Sequence, residues 1–120
     1  MTQSDYLFTC TEWLKRRGYG EVVAVTEDTV TAADPDGSRV CFRCILTGWG
    51  RVGEMEVEEL IPLMRHYGAD AGGILTNGRF TLGARLRAKQ EGNITLIPRC
   101  RAQTGRREHP RRKDDYRDVL

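Results

Sequence analysis

RVCFRCIL, residues 39–46, reads as a buried strand with one charge, Arg43, set between Phe42 and Cys44. A lone cation is expensive to bury, so Arg43 needs a pocket or a partner. Working outward, TVTAA (29–33) and EVVAVT (21–26) are two shorter runs rich in β-branched residues. Glu27-Asp28 is a tight turn between them, and DPDG (34–37) has the Pro and Gly of a turn leading into the long strand. Three strands joined so closely predict an antiparallel meander.

A helix precedes the meander. In SDYLFTCTEWLKRRGYG, Ser4 can cap, Tyr6, Cys10, Trp13 and Leu14 recur at helical spacing, and Gly18 ends the pattern. After the Gly-rich loop TGWGRVG, residues 54–68 form an amphipathic helix with Met55, Leu60, Leu63, Met64 and Tyr67 inward. Pro62 should kink that helix or remove one of its hydrogen bonds. AGGILT (71–76) is a short apolar strand that follows a helix and so adds in parallel. NGRF turns the chain. Thr81 caps a third helix to about Gln90, with Leu82, Leu86 and Ala88 inward, and NITLIP closes the sheet. The order αβββαβαβ predicts an α/β domain with a central mixed sheet flanked by helices.

The chain has 120 residues, 39% apolar and 30% charged, which suits one soluble domain with a modest core. No apolar run approaches a membrane span, and MTQSDYLFTC has no secretion pattern, so a cytoplasmic location is expected. Net charge is +2 but uneven: residues 101–120 hold seven Lys/Arg against four acids, which leaves residues 1–100 at −1. Residues 1–100 are expected to form the domain, and 101–120 a charged, flexible tail. Cys41 and Cys44 make one C-x-x-C inside a strand, where alternation sends them to opposite faces, so small buried hydrophobes are expected rather than zinc ligands.

VGEMEVEEL followed by ADAGGILTNGRFTLGARLRAKQEGNITLI resembles the Mrr-type restriction endonuclease domain, of the restriction-endonuclease-like nuclease fold. The matching positions are Val52-Gly53, Val57, Glu59-Leu60, Thr76, Gly78, Phe80-Thr81, Ala84 and Ala88. The resemblance implies DNA as substrate and a Mg²⁺ ion held by carboxylates, with a lysine at the nucleophile. It implies an acid in the first helix, a G-[VI]-D strand and a Q-x-K strand. Those positions fall on Leu7, Thr31, Cys41 and Arg43, so the resemblance implies a degenerate catalytic motif in which no metal is held. If the site is active, Asp34 and Glu54 are the candidates to hold Mg²⁺.

Arg43 retains the ability to grip a phosphate. With Arg51, Arg79, Arg85 and Lys89 it forms a candidate stripe for DNA or RNA. Trp49, between two glycines, is a candidate aromatic contact. Three readings follow: a non-catalytic domain that binds nucleic acid, an active endonuclease with rearranged acids, and a regulatory or immunity module that binds protein. The fold is also compatible with a homodimer.

Overall fold

The computed structural model describes residues 1–48 and 50–100. Trp49 and residues 101–120, and the readings made for them, lie outside the described residues.

The first helix, α1 (Gln3–Arg16), is capped by Thr2, not by Ser4. The Thr2 side chain accepts from the Asp5 N–H at 3.1 Å, and the Asp5 carboxylate accepts from the Thr2 N–H at 3.2 Å. This reciprocal box satisfies two orphan donors, whereas Ser4 lies inside the first turn. Strands β1 (Gly20–Ala24), β2 (Thr29–Ala33) and β3 (Arg39–Ile45) form the antiparallel meander. A two-residue strand β4 (Arg51–Val52) then leads into α2 (Glu54–His66). Strand β5 (Ala71–Thr76) pairs in parallel with β3, as the sequence pattern predicts. NGRF does more than turn the chain, because Arg79–Phe80 is a strand, β6, paired in parallel with β4. Helix α3 (Leu82–Glu91) and strand β7 (Ile94–Ile97) follow, with β7 parallel to β5. The main sheet is ordered β1-β2-β3-β5-β7. The domain is therefore the mixed α/β architecture read from the sequence.

Strand alternation sorts the core onto two faces. On one, Tyr6, Cys10 and Leu14 of α1 pack on Val30, Ala32, Val40, Phe42, Cys44 and Leu75. On the other, α2 and α3 cover Cys41, Ile74 and Leu96 with Val57, Leu60, Met64, Ala84 and Ala88. Cys41 and Cys44 thus lie on opposite faces, and all four cysteines are free and buried. Cys100 closes the first face: its N–H donates to Thr76 O at 2.8 Å, and the Tyr6 hydroxyl donates to its carbonyl at 2.7 Å.

The contact between β5 and its covers is close. A Cβ on Gly72 would lie 2.6 Å from Met64 Sδ, and one on Gly73 would lie 2.8 Å from the Phe42 ring. Glycine at these adjacent positions lets α2 approach from one side and Phe42 from the other.

Met55, Leu82 and Leu86 point outward, contrary to the amphipathic reading; their exposures are 65%, 68% and 56%. The buried stripe of α3 is Ala84 and Ala88. Leu82 and Leu86 sit two residues from Ala84, a rotation of about 200° at about 100° per residue, which places them on the far side. Met55 stands in the same relation to Val57. Helix α2 runs through Pro62, which is exposed, so the bond it removes opens toward solvent.

Replacing Leu82 and Leu86 with Gln should change unfolding free energy by no more than about 0.5 kcal/mol each. Ala84→Leu should cost about 1–3 kcal/mol through overpacking. Urea denaturation of the three variants checks both.

Candidate functional site

Arg43 forms the last register pair between β3 and β2, where its Cα partner is Thr29, the first residue of β2. The preceding residue, Asp28, ends the β1–β2 turn, and its carbonyl accepts from the Cys44 N–H at 2.8 Å. The antiparallel register therefore brings the Asp28 side chain beside Arg43. From above, the second turn of α2 supplies Glu59. Arg43 Nη2 lies 3.2 Å from Asp28 Oδ2, and Nη1 lies 3.2 Å from Glu59 Oε1. The Arg43 side chain is 15% exposed, and its Nε is buried without a partner. The charge in the middle of the strand is thus held between two carboxylates.

The three members are not equally buried. Glu59 is 54% exposed, so its arm of the bridge is weak, as surface pairs generally are. Asp28 is the stronger partner. Its carboxylate also accepts from the hydroxyls of Thr26 at 3.0 Å and Thr29 at 2.9 Å. Partial burial pushes the Asp28 carboxyl up, but bonds from Thr29 and Thr26 and the Arg43 guanidinium outweigh it and hold it below the usual carboxylate range.

Gln3 fixes this corner of the domain. Its Nε2 donates to Glu27 O at 3.1 Å and to Cys44 O at 2.9 Å, while its Oε1 accepts from the Leu46 N–H at 3.4 Å. One amide therefore ties the β1–β2 turn to the end of β3. Sequence reasoning treated Asp28 as a turn residue and did not single out Gln3. The signal for Asp28 was its place directly before a strand antiparallel to the one carrying Arg43.

The other sequence-derived residues are dispersed. Thr31 is buried, and its Cα partner is Cys41, two positions along from Arg43. Burial pushes the Cys41 thiol up to about 11, so it stays protonated at neutral pH. Leu7 is half-buried against the α1 face of the core. Asp34 lies in the β2–β3 turn, where its N–H donates to Ser38 O at 2.8 Å. Glu54 starts α2, with its carboxylate against Gly83 of α3. Asp34 and Glu54 flank opposite ends of β3, and the fold does not gather them into one site. Arg51 and Arg79 are Cα partners in the β4–β6 ladder, and both are exposed. Lys89 is exposed on α3, and Arg85 is half-buried with its Nε enclosed and without a hydrogen bond. Arg87 is engaged by Glu58 at 3.5 Å and Glu91 at 2.6 Å. His66 is an exposed helix-end residue, edge-on to Tyr67.

A family model described as restriction endonuclease, the Mrr catalytic domain, matches residues 1–102. The chain belongs to the Mrr-type restriction endonuclease family. No curated protein matches it.

Mrr-type chemistry uses a divalent ion held by carboxylates. Mg²⁺ demands near-octahedral oxygen ligation, with one or two carboxylates as a rule. Asp28 and Glu59 supply two, but both are directed at one guanidinium, and a dication between them would lie against its charge. Among the described residues no group of three or more His, Cys, Asp or Glu converges to hold a metal. In this arrangement the residues do not fit the ion.

Arg43→Ala should cost about 1–2 kcal/mol at pH 7, less than for a fully buried pair because Asp28 and Glu59 are partly solvated. The Asp28 carboxyl is lowered in the folded state, so its stabilisation is present above the ordinary carboxyl range and is lost as pH falls through the lowered value. The gap between wild type and variant should therefore narrow below about pH 4. Denaturation curves at pH 7 and pH 3 check it, and a gap that widens in acid would rule out the assigned ion pair.

Proposed function

We propose that this Mrr-type domain binds nucleic acid through phosphate contacts and does not hydrolyse it. The observation that carries the reading is the Arg43 guanidinium bridging Asp28 and Glu59 at 3.2 Å each. Arginine remains charged in proteins and cannot trade a proton as lysine can. A fixed organic cation thus stands where the family aligns a proton-active lysine, and the two acids beside it, Asp28 and Glu59, are engaged by that cation. Leu7, apolar and packed on the core, offers no further acid.

Binding falls to the cations that no carboxylate engages among the described residues. Arg51, Arg79 and Lys89 are exposed, and Arg85 lies on the same helix as Lys89. Residues 1–100 carry −1 overall, so attraction to a polyanion comes from local arrangement rather than total charge. Arg43 offsets one of the two negative charges of Asp28 and Glu59, which lessens their repulsion of a phosphate. A second reading, a module that binds protein, is favoured by the exposed Met55, Leu82 and Leu86.

Incubation of supercoiled plasmid with the full chain and Mg²⁺ or Mn²⁺ should give no nicked product. Duplex DNA should be bound at low salt, with an affinity that falls linearly in log–log form as salt rises. Arg43→Ala should leave that affinity within about twofold, since its guanidinium serves the two carboxylates. Metal-dependent nicking that Asp28→Asn abolishes would establish the active reading instead. Absence of duplex binding at low salt would favour the protein-binding module.

A further inference from the structure

The fold sets two arginines side by side, and among the described residues no carboxylate balances them. Arg51 and Arg79 are register partners in the parallel β4–β6 ladder, which places their Cα atoms about 4.8 Å apart. Their neighbours Val52 and Phe80 are 1% and 4% exposed, anchored beneath α2 and α3. Alternation then turns both arginines to solvent on the same side. Among the described residues neither side chain has a hydrogen bond or an ion pair, in contrast to Arg43 and Arg87. Like charges directly opposite one another destabilise a strand pair. An arrangement that opposes its own stability, and is nonetheless held firmly, suits a ligand that supplies the missing negative charge.

The ladder is held firmly. The Thr81 N–H donates to Val52 O at 3.0 Å, which extends the β4–β6 pairing to the start of α3. Asn77 and Thr47 exchange bonds: the Thr47 N–H donates to Asn77 Oδ1 at 2.8 Å, and Asn77 Nδ2 donates to Thr47 O at 3.0 Å. Gly78 fits beneath this clasp, where a Cβ would lie 2.6 Å from Thr47 Oγ1 and 3.3 Å from Gly50 O. The residue before Arg79 is thereby pinned to the segment before Arg51.

The surrounding charges include two acids. Glu56 accepts from the Gly53 N–H at 2.9 Å and Glu54 lies against Gly83, so neither is paired with Arg51 or Arg79. The first turn of α3 has no acid. We propose that Arg51 and Arg79 form a clamp for a single phosphate of the nucleic-acid backbone. Two guanidinium forks on one phosphate match its oxygens, and charge-assisted bonds of this kind are among the strongest available. The proposal rests on the nucleic-acid reading and deepens it by naming the contact, which is separate from the Arg43 bridge.

The test uses the full chain and two probes. Inorganic phosphate is titrated at constant ionic strength while the side-chain Nε–H signals of arginine are followed by NMR. The Arg51 and Arg79 signals should shift together and saturate with one dissociation constant, and Arg51→Gln should abolish the saturable shift of Arg79. Shifts no larger than those of exposed Arg16 and Arg65, or an Arg79 response that survives Arg51→Gln, would overturn the clamp. With a duplex, Arg51→Gln, Arg79→Gln and the double variant should lose affinity to a similar extent. The log–log salt slope should fall by about 0.9, the value for one phosphate. A double variant with unchanged slope overturns the clamp and leaves the nucleic-acid reading standing. A wild-type chain that saturates with inorganic phosphate but does not bind duplex overturns the backbone assignment together with that reading.

Discussion

A guanidinium buried to about the depth of its Nε must be neutralised where it lies, and this constraint organises one whole corner of the domain. Arg43 meets Asp28 from the turn before β2 and Glu59 from α2, so one cation joins the antiparallel meander to the helix that covers it. Gln3 of α1 binds the backbone at both Glu27 and Cys44, so a third element is drawn to the same place. The backbone bond from Cys44 to Asp28 fixes the register that makes the pairing possible. If Arg43 were removed, the Asp28 carboxylate would have hydroxyl donors but no counter-ion.

That same pairing separates two kinds of cation in this chain. Arg43 and Arg87 are matched by carboxylates and hold elements together. Arg51 and Arg79 face each other with no carboxylate on either among the described residues, on a ladder stiffened by the Asn77–Thr47 exchange. A paired arginine has little left to offer a phosphate, whereas an unpaired one retains all its donors. The family relationship indicates a nuclease-like domain with DNA as its class of partner.

Packing around the site depends on small residues. Gly72 and Gly73 admit Met64 and Phe42 to the two faces of β5, and Ala84 and Ala88 bring α3 close. This explains why α3 turns its leucines outward. A helix seated on alanines approaches too closely for a leucine on the buried side, and Leu82 and Leu86, about 200° away, have no core to enter.

Much of the fold was legible in the sequence because it rests on local physics. The β-branched runs set β2 and β3, AGGILT marked β5, and Thr81 marked the start of α3; the αβββαβαβ order then followed. The Mrr-type motif in residues 52–88 was also legible, since spaced glycines and alanines record close approach. Tertiary structure alone decided which carboxylate Arg43 meets. Asp28 is fifteen residues away in sequence and reads as a turn, and Thr31, the residue aligned with the motif Asp, pairs with Cys41 instead. It also decided that Arg51 and Arg79 are neighbours, because two-residue strands carry no periodic signal. Secondary structure follows from short-range sterics and solvation that each segment carries within itself. The partners of a charge depend on register and helix placement, which are settled only when distant segments pack.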